Sequence, residues 1–213
     1  LEHQVTEIRK LTKSKVLVTV DDSDTIPLYT GELRKYAIRE NGMISPDVYE
    51  GIRAGLYKRA LTRCLHLLKE RDYLQGEVQM KLRRSGYPDD IIEAVEDTLR
   101  RERFLDDSRY IGNYLQFHGN EKSRRAVMDF LKRKGADPKA VEEACSAFYE
   151  DSPDSQTELA QRLLQKKLRS GETLEDWQTL QKARGFLFRK GFSADTIEKA
   201  VHAVLLEENP DQL

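Results

Sequence analysis

The sequence predicts a mostly α-helical protein: three tandem three-helix-bundle repeats in an elongated array, behind a small N-terminal β-hairpin or meander with a helix. Three observations carry that expectation. β-branched residues cluster within the first 30 positions. From about Leu56 onward, apolar residues recur at helical spacing. Three glycines, Gly86, Gly135 and Gly191, sit in matching surroundings 49 and 56 residues apart, as an internal repeat requires.

Residues 5–8 and 16–20 read as strands, the second rich in valine and threonine. Residues 11–15 make a polar turn between them, and Asp21, Asp22, Ser23 and Asp24 make a second turn. Residues 25–29 add a third strand, which Pro27 assigns to a sheet edge because proline has no N–H for a ladder. A helix follows over about 29–38. Ser45 and Pro46 open another, with serine as N-cap and proline at the first helical position. A two-stranded hairpin alone is marginally stable, so this segment is expected to pack on something.

Nine helical segments follow in three groups: 56–71, 75–85 and 88–103; 107–118, 122–134 and 138–149; 155–169, 174–190 and 194–207. The predicted organisation is a β-rich extension over 1–55 and repeats over 56–105, 106–151 and 152–213. Four residues before each marker glycine stands a leucine, Leu82, Leu131 or Leu187. Two before stands Arg84, Arg133 or Arg189, and six after stands Ile92, Val141 or Ile197. Each glycine falls where a helix must stop, in a backbone conformation that glycine adopts cheaply. Narrow apolar stripes such as Leu61, Cys64, Leu65 and Leu68, or Ile91, Val95 and Leu99, imply small cores that neighbouring units complete. Residues 151–155 read as a linker that lets the third unit pivot on the second.

Charged residues are 34% of the chain and hydrophobic ones 38%, a balance suited to thin-cored helical units. Net charge is −1, so any affinity for nucleic acid must come from local segregation of charge. Cys64 and Cys145, 81 residues apart, form no disulfide framework and are expected to be reduced, partly buried thiols. No apolar run reaches the roughly 18 residues of a membrane span, and no signal peptide is visible. A monomer in the cytoplasm is expected.

Candidate chemistry is sparse. His3, His66, His118 and His202 are not spaced as metal ligands on one helix. No Walker sequence, G-x-S-x-G or H-E-x-x-H occurs, and nothing pairs a nucleophile with a base. No catalytic residue, metal or cofactor is therefore expected. Asp106 and Asp107, within Phe104-Leu105-Asp106-Asp107-Ser108-Arg109-Tyr110, form the one arresting carboxylate pair. Metal or acid–base work is one reading. Helix capping, with Phe104 or Leu105 as the staple, is the favoured one.

Charge is segregated more informatively. Lys122, Arg124, Arg125, Lys132, Arg133 and Lys134 share one segment with only Asp129 against them. Between Arg162 and Lys190 there are eight basic residues, Lys166, Lys167, Arg169 and Arg184 among them, against Glu172, Glu175 and Asp176. Such faces could track a phosphate backbone or an acidic protein groove. They could equally be solvated surface, with cations gathered at helix C-termini as the helix dipole prefers. Tyr73, Tyr110, Tyr114, Phe117 and Trp177 are candidate interface anchors, although aromatics at helical spacing are more often core.

With the repeats laid out, the chain resembles the RecX family of bacterial RecA regulators. The helix end from Leu82 to Gly86 leads through Ile92 and Leu99 to the "x-L-D-D-x-x-Y" signature, met by Leu105, Asp106, Asp107 and Tyr110. Ala60, Leu61 and Leu65 approximate the opening pattern. Residues 130–135 and 186–192 are similar to the ends of the second and third units, and the likeness covers some 150 residues from about Leu56 to Glu207. Where many relatives carry a glycine before the second unit's middle helix, this chain has Lys122-Ser123-Arg124-Arg125, a difference in the local turn. The resemblance implies an elongated helical array without chemistry of its own. It implies binding to the RecA filament on single-stranded DNA, generally inhibiting ATP hydrolysis and strand exchange or favouring disassembly, with weak direct DNA contact an added expectation. An independent helical-repeat nucleic-acid-binding module and a generic protein-interaction scaffold are the competing readings. Near-neutral net charge weighs mildly against the first of these.

Overall fold

The computed structural model describes residues 2–150, 154–168 and 172–208. Among them are strands β1 (His3–Lys10), β2 (Lys15–Val20), β3 (Asp24–Tyr29) and β4 (Met43–Ile44). The helices are α1 (Thr30–Lys35), α2 (Pro46–Glu70), α3 (Gln75–Arg84), α4 (Asp89–Arg101), α5 (Asp107–His118), α6 (Arg124–Arg133), α7 (Pro138–Glu150), α8 (Ser155–Lys167), α9 (Trp177–Lys190) and α10 (Ala194–Glu208). The chain divides into two compact units, Leu1–Asp107 and Ser108–Leu213. The expected mostly helical fold with a small N-terminal sheet is what the structure has.

In the first unit the sheet is antiparallel, in the order β3-β2-β1-β4. Pro27 lies on the edge strand β3, opposite Leu17, as its missing N–H requires. The β2–β3 turn closes with Asp21 and Asp22 at φ of 51° and 59° and a Ser23 N–H to Val20 carbonyl bond of 3.2 Å. Both central residues therefore adopt the left-handed conformation that aspartate tolerates and hairpin twist favours. The two-residue strand β4, paired to β1 through His3 and Gln4, has no periodicity that a sequence reading could detect.

The sheet does pack on something: the first helical group. Val5, Val18, Val20, Ile26 and Leu28 share one buried core with Ile52, Leu56, Val78, Leu82, Ile92, Val95 and Leu99. Helix α2 runs unbroken for 25 residues, so the predicted separate starts at Ser45 and Leu56 are one helix. Gly51 and Gly55 lower its intrinsic propensity. Its buried stripe of Ile52, Leu56, Ala60 and Cys64 nonetheless carries it through them. The deepest stripe is thus rotated from the predicted one; Leu61, Leu65 and Leu68 pack only at its margin. Helix α1 is shorter than the predicted 29–38, because Ala37 turns left-handed at φ 52°.

The three marker glycines build one device three times. Gly86, Gly135 and Gly191 have φ of 83°, 92° and 90°. In each case the next residue's N–H bonds the carbonyl of the repeat leucine: Tyr87 to Leu82 at 3.2 Å, Ala136 to Leu131 at 3.1 Å, Phe192 to Leu187 at 3.2 Å. This is the Schellman closure, with a hydrophobic contact between its ends. Leu82, Leu131 and Leu187 are fully buried, and Tyr87, Ala136 and Phe192 nearly so. The repeated sequence columns are therefore the parts of a helix stop.

Two acids are buried in the first unit, Glu77 and Glu96. Glu96 Oε2 accepts from Gln75 Nε2 at 3.1 Å and Gln79 Nε2 at 3.0 Å, while Oε1 is buried with no bond. Desolvation pushes its carboxyl above the ordinary range, against the lowering effect of the two glutamine bonds. A raised acid holds its proton in the folded state to higher pH than in the unfolded chain. Its contribution is complete below the unfolded value and is lost as pH rises through the folded value. Thermal midpoints from pH 4 to 7 should therefore fall more in the wild type than in Glu96→Gln. Parallel curves would rule this out.

In the second unit Ile111, Leu115, Val127, Leu131, Val141, Cys145 and Tyr149 are the buried residues of α5–α7. Leu159, Leu164, Leu174, Leu187, Ile197 and Val201 belong to the core of α8–α10. Helix α9 begins at Trp177 rather than 174, because the Asp176 carboxylate accepts from the Thr179 N–H at 2.8 Å and caps it there. Residues 151–153 of the predicted linker lie outside the described residues. On either side of them the two bundles are directly bonded, as follows.

Candidate functional site

The basic segment of the second unit begins at a helix N-terminus built from both bundles. The Ser123 hydroxyl, buried, accepts from the Ala126 N–H at 3.2 Å as the N-cap of α6. The same hydroxyl donates to the carbonyl of Lys190, at the end of α9, at 2.6 Å. Gln156 on α8 accepts from the Arg124 N–H at 2.9 Å and donates to the Lys122 carbonyl at 3.5 Å. Two side-chain groups from different bundles thus satisfy N–H groups that the first helical turn leaves unpaired. The Lys122–Arg125 stretch is an ordinary serine-capped helix start.

This junction positions the candidate basic residues unequally. The Arg124 guanidinium bonds Glu142 at 2.9 Å and the Ser146 hydroxyl at 2.8 Å, which ties α6 to α7. Lys122 donates to the Tyr114 hydroxyl at 2.8 Å and lies over the Tyr114 and Phe130 rings, which are stacked 4.5 Å apart. Arg184 bonds Glu198 at 2.6 Å. These three are committed to the fold's own contacts. Arg125, Lys132 and Arg133 are exposed; Arg125 lies 3.7 Å from Asp129, one turn on. Arg133 bonds the Asp129 carbonyl at 3.2 Å. Lys166 and Lys167 are exposed at the end of α8. Lys167 lies 6.0 Å from the Phe186 ring centre and lines a separate cavity of about 230 Å³. Arg169 lies outside the described residues.

A cavity of about 620 Å³ opens where the two bundles meet, lined by Arg124, Arg125, Met128, Tyr149, Phe188 and Phe192 among others. Phe188 is 63% exposed. Burial pushes the Tyr149 phenol up, and its hydroxyl donates to the Gly119 carbonyl at 3.1 Å. The surface is therefore mixed: cationic on α6, aromatic on α9. A sequence reading missed Phe188, Ser123 and Gln156. The first sits in a run that reads as a helix end, and the other two matter only through contacts distant in sequence. Of the predicted aromatic anchors, Phe117 and Trp177 are exposed at 71% and 68%. Tyr73 is buried, and Tyr110 and Tyr114 are half-buried.

One member of the acidic pair caps a helix distant in sequence. Asp107 Oδ1 accepts from the Gln75 N–H, the first residue of α3, at 2.8 Å. Burial raises its carboxyl, opposed by that bond. Leu105 is buried in the first unit's core, Asp106 is exposed and Tyr110 half-buried. Leu105 and Asp107 thus close the first unit. Gathered among the described residues is no group of three His, Cys, Asp or Glu side chains that could hold a metal. Both cysteines are free and buried, and burial pushes the Cys64 thiol to about 11. No helix of the described residues is long and apolar enough to cross a membrane.

Comparison with known proteins gives this surface a context. Residues 60–99 match the family model for the first three-helix domain of RecX, and residues 154–201 match that for the third. The regulatory protein RecX of Amycolatopsis mediterranei is 31% identical over 138 residues, 64% of this chain and 77% of that one. The Bacillus licheniformis RecX is 27% identical, over 91% of this chain and 73% of its own. The Clostridium acetobutylicum RecX, at 23%, covers 98% and 99%. A crystal structure of regulatory protein RecX has the same fold, with a TM-score of 0.61 at 21% identity over 92% of this chain and 97% of that one. The RecX structure from Lactobacillus salivarius gives 0.60 at 22%, over 72% and 99%. On the Leu82-to-Tyr110 pattern, the thrice-repeated helix stop and these likenesses together, the chain belongs to the RecX family.

Proposed function

We propose that this protein binds the RecA filament on single-stranded DNA and suppresses its ATP hydrolysis, acting as a cytoplasmic monomer with no catalysis of its own. The repeats over 56–105, 106–151 and 152–213 are read as successive docking units. The observation that carries the reading is the junction of α6 with α8 and α9. It sets exposed Arg125 beside exposed Phe188, with exposed Lys132 and Arg133 farther along α6, in a chain of the RecX family. Cationic side chains with an aromatic anchor suit an acidic protein or nucleoprotein surface. Family membership supports a regulatory role; the filament and the direction of the effect are the proposal.

The test is the rate of single-stranded-DNA-dependent ATP hydrolysis by the cognate RecA as this protein is titrated in at moderate salt. Suppression well below one regulator per RecA is expected. Competition for DNA alone cannot act so sparsely, because each bound regulator would mask only its own site. An unchanged rate at equimolar protein would defeat the reading.

A further inference from the structure

The first unit carries a cationic groove separate from the charge runs considered so far. It is a cavity of about 680 Å³ between α2 and the β2–β3 edge, lined by Lys15, Tyr29, Lys58, Arg59, Arg63 and Tyr87 among others. One wall is α2. Lys58, Arg59, Thr62, Arg63 and His66 recur every three or four residues, so they project from one face. At 1.5 Å per residue they span about 12 Å of helix.

The opposite wall supplies Lys15 and the tyrosines. The Lys15 ammonium lies 5.9 Å from the Tyr29 ring centre and 5.8 Å from that of Tyr87, and donates to the Ser85 carbonyl at 3.4 Å. Arg59 is aimed by a two-pronged pair with Glu32, at 3.1 and 3.0 Å, and lies 4.9 Å from the Tyr29 ring centre. Glu32 is therefore spent on Arg59, and Glu70 is the one carboxylate on the lining. Lys15, Lys58 and Arg63 make no salt bridge among the described residues. Burial first, and then the charges of Arg63 and Arg59, hold the Lys15 ammonium below its ordinary value. Such crowding of like charge costs stability unless an anion relieves it.

Gly55 belongs to the same lining, and a side chain there would meet nothing within 4 Å. A glycine inside a long helix costs about 1 kcal/mol against alanine, and packing gives no reason for it here. It leaves the groove open at that end.

We propose that this groove binds phosphate groups, with Lys15, Lys58 and Arg63 meeting their oxygens and the tyrosines lining the wall that faces α2. Arginine and lysine set along a line match a run of phosphates better than a single small anion. The source is either a single-stranded phosphodiester backbone or a free polyphosphate; both present the same chemistry. The proposal does not rest on RecA binding, and its test contains no RecA.

The probes are a fluorescein-labelled oligothymidylate of about twelve residues, within the site sizes of small single-strand binders, and inorganic tripolyphosphate as competitor. The full chain is compared with Lys58→Glu/Arg63→Glu, with the neutral pair Lys58→Gln/Arg63→Gln, and with Lys139→Glu on an exposed site of the second unit. The charge-reversed pair should bind the strand at least about tenfold more weakly, and the neutral pair should weaken it less. The dependence of log K on log salt should become shallower by about 1.4, for two lost contacts on a single strand. Lys139→Glu should bind as wild type. Displacement by tripolyphosphate would assign the site to free phosphates as well; failure to displace would assign it to the strand. The proposal is overturned if both pairs bind as wild type, if neither probe binds, or if labelled oligoglutamate binds more tightly than either.

Discussion

Changing Arg125, Lys132 and Arg133 together to glutamate is expected to raise the concentration needed to suppress RecA ATP hydrolysis by roughly two orders of magnitude. Each interfacial charge reversal replaces an attraction with a repulsion, and rim charges of this kind act mainly through association rate and salt dependence. All three side chains are exposed. Arg125 and Arg133 meet groups of Asp129 on their own helix, so these contacts do not tie α6 to another element. Arg124 should be left unchanged. Its bonds to Glu142 and Ser146 hold α6 against α7, and its loss would confuse docking with packing. Wild-type suppression by the triple variant, with its helical circular dichroism intact, would remove this face from the interaction. It would leave Lys166, Lys167 and the aromatic side of the junction for the next substitutions.

A large single-residue effect on stability is expected at Gly191. Its φ of 90° lies where a side chain costs about 1–2 kcal/mol. An added Cβ would also sit 2.8 Å from Ser123 Oγ and 3.3 Å from Arg125 Cβ. The serine hydroxyl is held between the Lys190 carbonyl and the Ala126 N–H, so it cannot swing aside without giving up both bonds. Each such bond contributes about 1 kcal/mol net. Gly191→Ala should therefore cost about 2–4 kcal/mol in denaturant unfolding. Gly86→Ala is the comparison: its φ is 83°, but the atom met at 2.9 Å is Leu17 Cδ2, the end of a flexible chain. It should cost only about 1–2 kcal/mol, the conformational part alone. Equal losses would mean that the Ser123 junction adds nothing. The substitution at Gly191 should also lower the activity of the α6 face, since that face is anchored through the same serine.

Much of this was legible in the residues because it is local. A run rich in valine and threonine gave β2, Pro27 gave an edge, and Ser45-Pro46 gave the start of α2. The leucine, glycine and β-branched columns found the helix stops because a Schellman closure needs a left-handed residue and two apolar ends at fixed offsets. The absence of alternation over two residues hid β4. Helix breakers at Gly51 and Gly55 concealed the continuity of α2, which depends on burial against a sheet far earlier in the chain.

The sites follow the same division. By itself the sequence determined the helical class, the repeat and the charged segments, since propensity, periodicity and helix ends are set within a few residues. Only the tertiary structure decided which charges are available. Arg124, Lys122 and Arg184 look like Arg125 and Lys132 in a list of residues, yet they are consumed by partners on other helices. Asp107 caps α3 from 32 residues away. Lys15 meets Arg59 and Arg63 only because β2 lies beside α2. An ionic group's freedom depends on what long-range packing brings within hydrogen-bonding distance, and no local pattern encodes that distance.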